Sequence, residues 1–131
     1  MTRLLLSSLV CSLFTSTAFA VPIETQEYDG QWTATIQGAE ADARVGRVVI
    51  ANFAGTWTEV GRNGSKSRAC ISKKPFPITV QESTKDEFEF TVWSATLQAS
   101  CPNLAVSLKP VDAKTLEGST AQGDAIRLTR R

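Results

Sequence analysis

The chain has 131 residues, 42% of them apolar and 21% charged, with 14 Lys and Arg against 13 Asp and Glu. A net charge of +1 excludes nucleic-acid binding driven by bulk field, which needs a marked excess of Lys and Arg. The chain has no histidine, and that absence excludes Ser-His-Asp and Cys-His nucleophile pairs, imidazole-ligated zinc and a histidine pH switch.

The first twenty residues read as a leader. Arg3 supplies positive charge, Leu4 to Phe14 an apolar stretch, and Ala18-Phe19-Ala20 the small residues that a signal peptidase requires. The apolar part is interrupted by Ser7, Ser8 and Ser12 and is shorter than the roughly 20 residues of a spanning helix. Cleavage after Ala20, a periplasmic or extracellular location and no membrane span in the mature form are therefore expected. The mature chain would hold 13 basic and 13 acidic residues in one domain over 28–131, preceded by a loosely held arm over 21–27. Cys11 leaves with the leader, so Cys70 and Cys101 are an even pair in an oxidising compartment. Closing the loop between them would constrain the unfolded chain by roughly 3–4 kcal/mol. A structural disulfide is expected there, since a redox pair would more often be the close C-x-x-C arrangement.

From Tyr28 the pattern has period 2. Tyr28, Gly30, Trp32, Ala34 and Ile36 share one face, with Asp29, Gln31, Thr33, Thr35 and Gln37 on the other. Residues 39–44 are a brief helical turn or an excursion. Gly46–Phe53 is rich in Val and Ile, and Gly55–Val60 carries Trp57 among threonines, both favouring pleated surface. Asn63-Gly64 is a strong hairpin signal. Pro77–Gln81 is a short strand, and Ser83–Asp86 a turn into Glu87–Leu97. Leu104–Lys109 follows, ending at Pro110, which cannot donate to a ladder. Turns at 112–114 and 122–124 delimit Thr115–Ser119 and Ala125–Arg130. About eight short strands with no long helical period predict an all-β antiparallel meander forming a small barrel or sandwich.

Five features could carry function. Glu82, Asp86, Glu87 and Glu89 are the candidates for carboxylate hydrolysis or calcium, but they crowd one turn and one strand face beside Lys85 and read as a solvated acidic surface. Arg62, Lys66, Arg68, Lys73 and Lys74 fall together without an acid and could cradle a carboxylate, a phosphate or an anionic lipid. Asn63-Gly64-Ser65 matches the N-glycosylation acceptor pattern. Trp93 falls in phase with Glu87 and Glu89, so it either follows a bulge inward or lies on the surface as a contact residue. Phe76, within Pro75-Phe76-Pro77, is either part of a stiff crossover or an exposed anchor.

The order of Asp29-Gly30-Gln31-Trp32, Cys70, Pro75–Val80, Cys101, Leu116-Glu117-Gly118 and Ile126–Arg130 resembles small secreted proteins of Gram-negative bacteria. More loosely, a G-x-W opening strand with a terminal L-x-R strand is similar to calycin-like barrels: lipocalins, avidins and bacterial inhibitors of secreted metalloproteases. The inhibitor likeness implies that Val21–Glu27 could enter a protease cleft. Together these readings give a monomeric, non-catalytic binding module without metal or cofactor, holding a small ligand or an envelope or secreted protein. The alternative is a periplasmic protease inhibitor acting through its arm.

Overall fold

The computed structural model describes residues 16, 18, 21, 23–37, 44–60 and 74–131. Eight strands follow in chain order: β1 (Gly30–Gln37), β2 (Arg44–Ala51), β3 (Ala54–Val60), β4 (Phe76–Ser83), β5 (Phe88–Val92), β6 (Leu104–Asp112), β7 (Thr115–Thr120) and β8 (Ala125–Arg130), with a short 3₁₀ turn at Ser94–Thr96. Each pairs antiparallel with the next, and β8 returns to pair with β1. The sheet is a closed barrel, which decides between the two architectures left open by the strand pattern. Among the described residues, no helix is long and apolar enough to cross a membrane.

Alternation explains which side chains the barrel encloses. Trp32, Ala34 and Ile36 of β1, Val48 and Ile50 of β2, Phe88, Phe90 and Val92 of β5, and Ile126 and Leu128 of β8 all point inward and are buried. With Tyr28, Trp57, Phe76, Ile78, Leu104, Val106 and Leu108 of β6 and Leu116 of β7, they form one continuous core. Small barrels of eight strands have a lumen that side chains can fill, and five large aromatics, Trp32, Trp57, Phe76, Phe88 and Phe90, are buried in this one. Gly46 belongs to that fit, since a Cβ there would lie 2.3 Å from Trp57 Cζ2.

Four local expectations need correction. Phe53, expected in the second strand, forms with Asn52 a tight β2–β3 turn in which both residues have positive φ, 63° and 51°. The fifth strand stops at Val92 instead of running to Leu97, because the chain turns into the 3₁₀ segment at Trp93. Pro110 does not end β6, which reaches Asp112 through a register shift between Pro110 and Asp112. Such an irregularity is where a strand accommodates a residue without an N–H. Arg44 belongs to β2, not to a helical turn; the remainder of that expected turn and the Asn63-Gly64 hairpin lie outside the described residues.

The arm expected over 21–27 is tied to the barrel from Glu24 onward. Glu24 bridges Thr84, the Thr25 amide donates to Ser83 O at 2.8 Å, and the Ser83 hydroxyl donates to Thr25 O at 2.6 Å. Cys101 is buried and makes a further interaction. Cys70 lies outside the described residues, so the expected Cys70–Cys101 bond stands as a proposal.

Candidate functional site

The two ends of the barrel are built differently. At the end carrying the arm, Arg130 at the close of β8 lies over the Trp32 ring, 4.2 Å from its centroid. Its guanidinium donates to Asp29 O and Glu27 O, each at 2.8 Å, while the Trp32 indole donates to Tyr28 O at 2.9 Å. The Tyr28 ring stacks on Phe88 at 4.6 Å and its hydroxyl donates to Thr84 O at 2.6 Å. Burial, reinforced by the charges of Glu27 and Asp86, pushes the Tyr28 phenol above its ordinary pKa, which keeps the donor proton in place. This end is sealed by a cation, an indole and a phenol, all with their polar groups satisfied.

At the opposite end a charge pair closes the lumen. Arg44 and Glu59 sit at inward phases of β2 and β3. The guanidinium donates to both carboxylate oxygens at 2.9 and 3.3 Å, and the Trp57 indole donates to the same carboxylate at 2.9 Å. The Glu59 side chain is 3% exposed and that of Arg44 36%. Neither was singled out from sequence. The available signal was phase: Arg44 alternates with Gly46, Val48 and Ile50, and Glu59 with Gly55 and Trp57.

The acidic candidates gather on the outside. A register shift between Val80 and Glu82 turns Glu82 outward beside Glu89, where simple alternation would have aimed it into the core. Carboxylate oxygens of Glu82, Glu87 and Glu89 lie within 4.8 Å of one another. The Ser107 hydroxyl donates to Glu89 at 3.2 Å, and Lys109 Nζ stands 3.9 Å from Glu87. Partial burial, then repulsion from Glu87 and Glu89 and a hydrogen bond with Glu87, raise the Glu82 carboxyl above its ordinary pKa. Chemically the cluster can share a proton, and its three carboxylates supply part of the 6–8 oxygens that calcium takes. Asp86 is exposed in the adjoining turn.

Of the contact candidates, Trp93 lies on the outer surface at 36% exposure, resolving the bulge-or-surface alternative in favour of the surface. Its amide donates to Pro77 O at 2.8 Å, its indole N–H to the Thr79 hydroxyl at 3.0 Å, and its carbonyl accepts from the Thr96 hydroxyl at 2.6 Å. Phe76 is not an exposed anchor. It is 2% exposed, because it pairs opposite Trp57 and alternates in phase with Ile78. Lys74 is exposed just before β4. Arg62, Lys66, Arg68, Lys73 and the Asn63-Gly64-Ser65 acceptor lie outside the described residues.

The wall around Trp93 has a composition of its own. Cross-strand pairing lines up Val49, Thr56 and Pro77 in one outward row and Ala54, Thr79 and Thr91 in the next. No side chain in either row is charged. Charge returns on both sides along the strands, at Arg47 opposite Thr58 and at Glu82 opposite Glu89.

The fold and this wall define a closed, up-and-down β-barrel with a filled lumen. No protein-family model matches the chain, and no curated protein matches it. Among solved structures it is similar to a redesigned β-barrel, at 16% sequence identity over 80% of this chain and 92% of that one, with a TM-score of 0.48.

Proposed function

We propose that the protein is an exported, non-catalytic binding module whose ligand seats on the outer wall of the barrel around Trp93. One observation carries the reading: Trp93 is held on the outside, its indole N–H donating to the Thr79 hydroxyl and its backbone bonded to Pro77 and Thr96, while the lumen is packed with buried side chains. An apolar ligand held inside would need the space that Trp32, Trp57 and Phe76 take. Export rests on the leader, and a Cys70–Cys101 bond would suit that compartment.

A second reading has its own observation. Val21 and Ile23 are 83% and 86% exposed immediately before the anchored Glu24, as a segment inserted into a protease cleft would be.

The test is a photo-reactive phenylalanine analogue replacing Thr56, Ile23 or Arg127 in the source cell. Adducts from position 56 and none from 127, on the opposite wall, are expected. Adducts from 23 alone would replace the outer-wall reading with the arm, and none from either 56 or 23 would overturn both.

A further inference from the structure

We propose that the ligand of the Trp93 wall is a neutral saccharide chain, an inference that rests on the outer-wall reading. The chemistry of the wall selects it. A pyranose ring presents a face of C–H groups edged by hydroxyls, and it is matched by an exposed aromatic plane flanked by uncharged donors and acceptors. Trp93 supplies the plane. Because the Thr79 hydroxyl accepts the indole N–H, its own proton is left to donate outward. Thr91 donates to Gln81 Oε1 at 3.2 Å, which orients the exposed Gln81 amide and leaves its N–H₂ group on the same wall.

Shape and charge narrow the class. Ala54, Thr56 and Thr79 are small or short, so the wall beside the indole has room for a chain laid along it. Among the described residues no side chain within the two rows is charged, so a chain lying on them meets neither a cation nor an anion until Arg47 on one side and Glu82 with Glu89 on the other. A neutral chain is the ligand that leaves no charge unpaired on these two rows. A protein partner would want a larger apolar centre than one indole with Val49 and Leu97 supplies.

The assay uses the three tryptophans. Trp32 and Trp57 are each 1% exposed, against 36% for Trp93, so acrylamide quenching of the native protein reports Trp93. The probes are tetrasaccharides of β-1,4-linked glucose, β-1,4-linked N-acetylglucosamine and α-1,4-linked glucose, with tetragalacturonate as the acidic comparison. At least one neutral probe at millimolar concentration is expected to protect Trp93 from acrylamide and shift its emission. By calorimetry, Trp93→Ala should bind that probe about tenfold more weakly, and Trp93→Phe should retain part of the affinity. Protection by no neutral probe, equal protection by tetragalacturonate, or unchanged affinity in both variants overturns the proposal. Crosslinks from position 56 to protein alone would overturn the saccharide while leaving the outer wall as the binding surface.

Discussion

Replacing Glu59 by Gln tests how the far end of the barrel is held shut. The carboxylate accepts two hydrogen bonds from Arg44 and one from Trp57. An amide of the same shape can still accept from the indole, but it turns an N–H₂ group toward the guanidinium and removes the charge. Hydrogen bonds to a charged group contribute about 1.5–3 kcal/mol. Because Arg44 is 36% exposed and can turn to water, the lower part of that range applies, about 2 kcal/mol. For a domain of this size that corresponds to a fall in Tm of about 10 °C. Arg44→Ala should be worse, about 3–4 kcal/mol, because it strands a carboxylate 3% exposed with one neutral donor. Replacing both by Leu should recover much of the loss. Differential scanning calorimetry of the four proteins decides it. A fall below about 2 °C for Glu59→Gln, or Arg44→Ala no worse than Glu59→Gln, would refute the reasoning.

Three further outcomes are expected. Gly46→Ala should cost about 2–3 kcal/mol in urea denaturation, because its methyl meets Trp57 at 2.3 Å and the buried indole has little room to move. Glu82→Gln should stabilise the protein at neutral pH. The raised Glu82 pKa means that protonation favours the fold, so this contribution is present below the ordinary carboxylate pKa and lost as pH rises through the raised value. The gap in urea midpoint between Glu82→Gln and the parent should therefore be near zero in acid and widen upward; a gap independent of pH would count against the cluster. Arg130→Ala should cost about 2 kcal/mol, with Lys restoring less than half, because the second carbonyl bond and the stacked guanidinium plane are both lost. Thermal melts of the pair measure it.

Much of the barrel was legible in the sequence, because period-2 alternation is the direct imprint of a sheet with one wet and one dry face. Trp32, Ile36, Phe88, Phe90, Ile126 and Leu128 could all be assigned inward from it. The errors fall where alternation is interrupted without a glycine or a run of polar residues to announce it. Asn52-Phe53 is a turn with an aromatic at a positive φ, and the irregularities at Val80/Glu82 and Pro110/Asp112 are set by pairing with neighbouring strands. The closed form was not readable either, because it depends on β1 meeting β8. For the wall, Trp93 was visible as an out-of-phase tryptophan, but its uncharged surroundings emerge only when β2, β3, β4 and β5 are placed in register. Arg44 and Glu59 were missed because each reads as an ordinary surface charge until its strand's phase is known.

The meeting of the opening and closing strands also governs when this chain can fold. Every other ladder joins neighbours along the chain, whereas β1 waits for a partner that begins at Ala125. Until β8 pairs, two sheet edges stay open and Trp32 lacks the Arg130 that covers it. Of the eight ladders, the one that closes the barrel spans the longest stretch of sequence, so the sequential hairpins can form before it and it alone turns the sheet into a barrel.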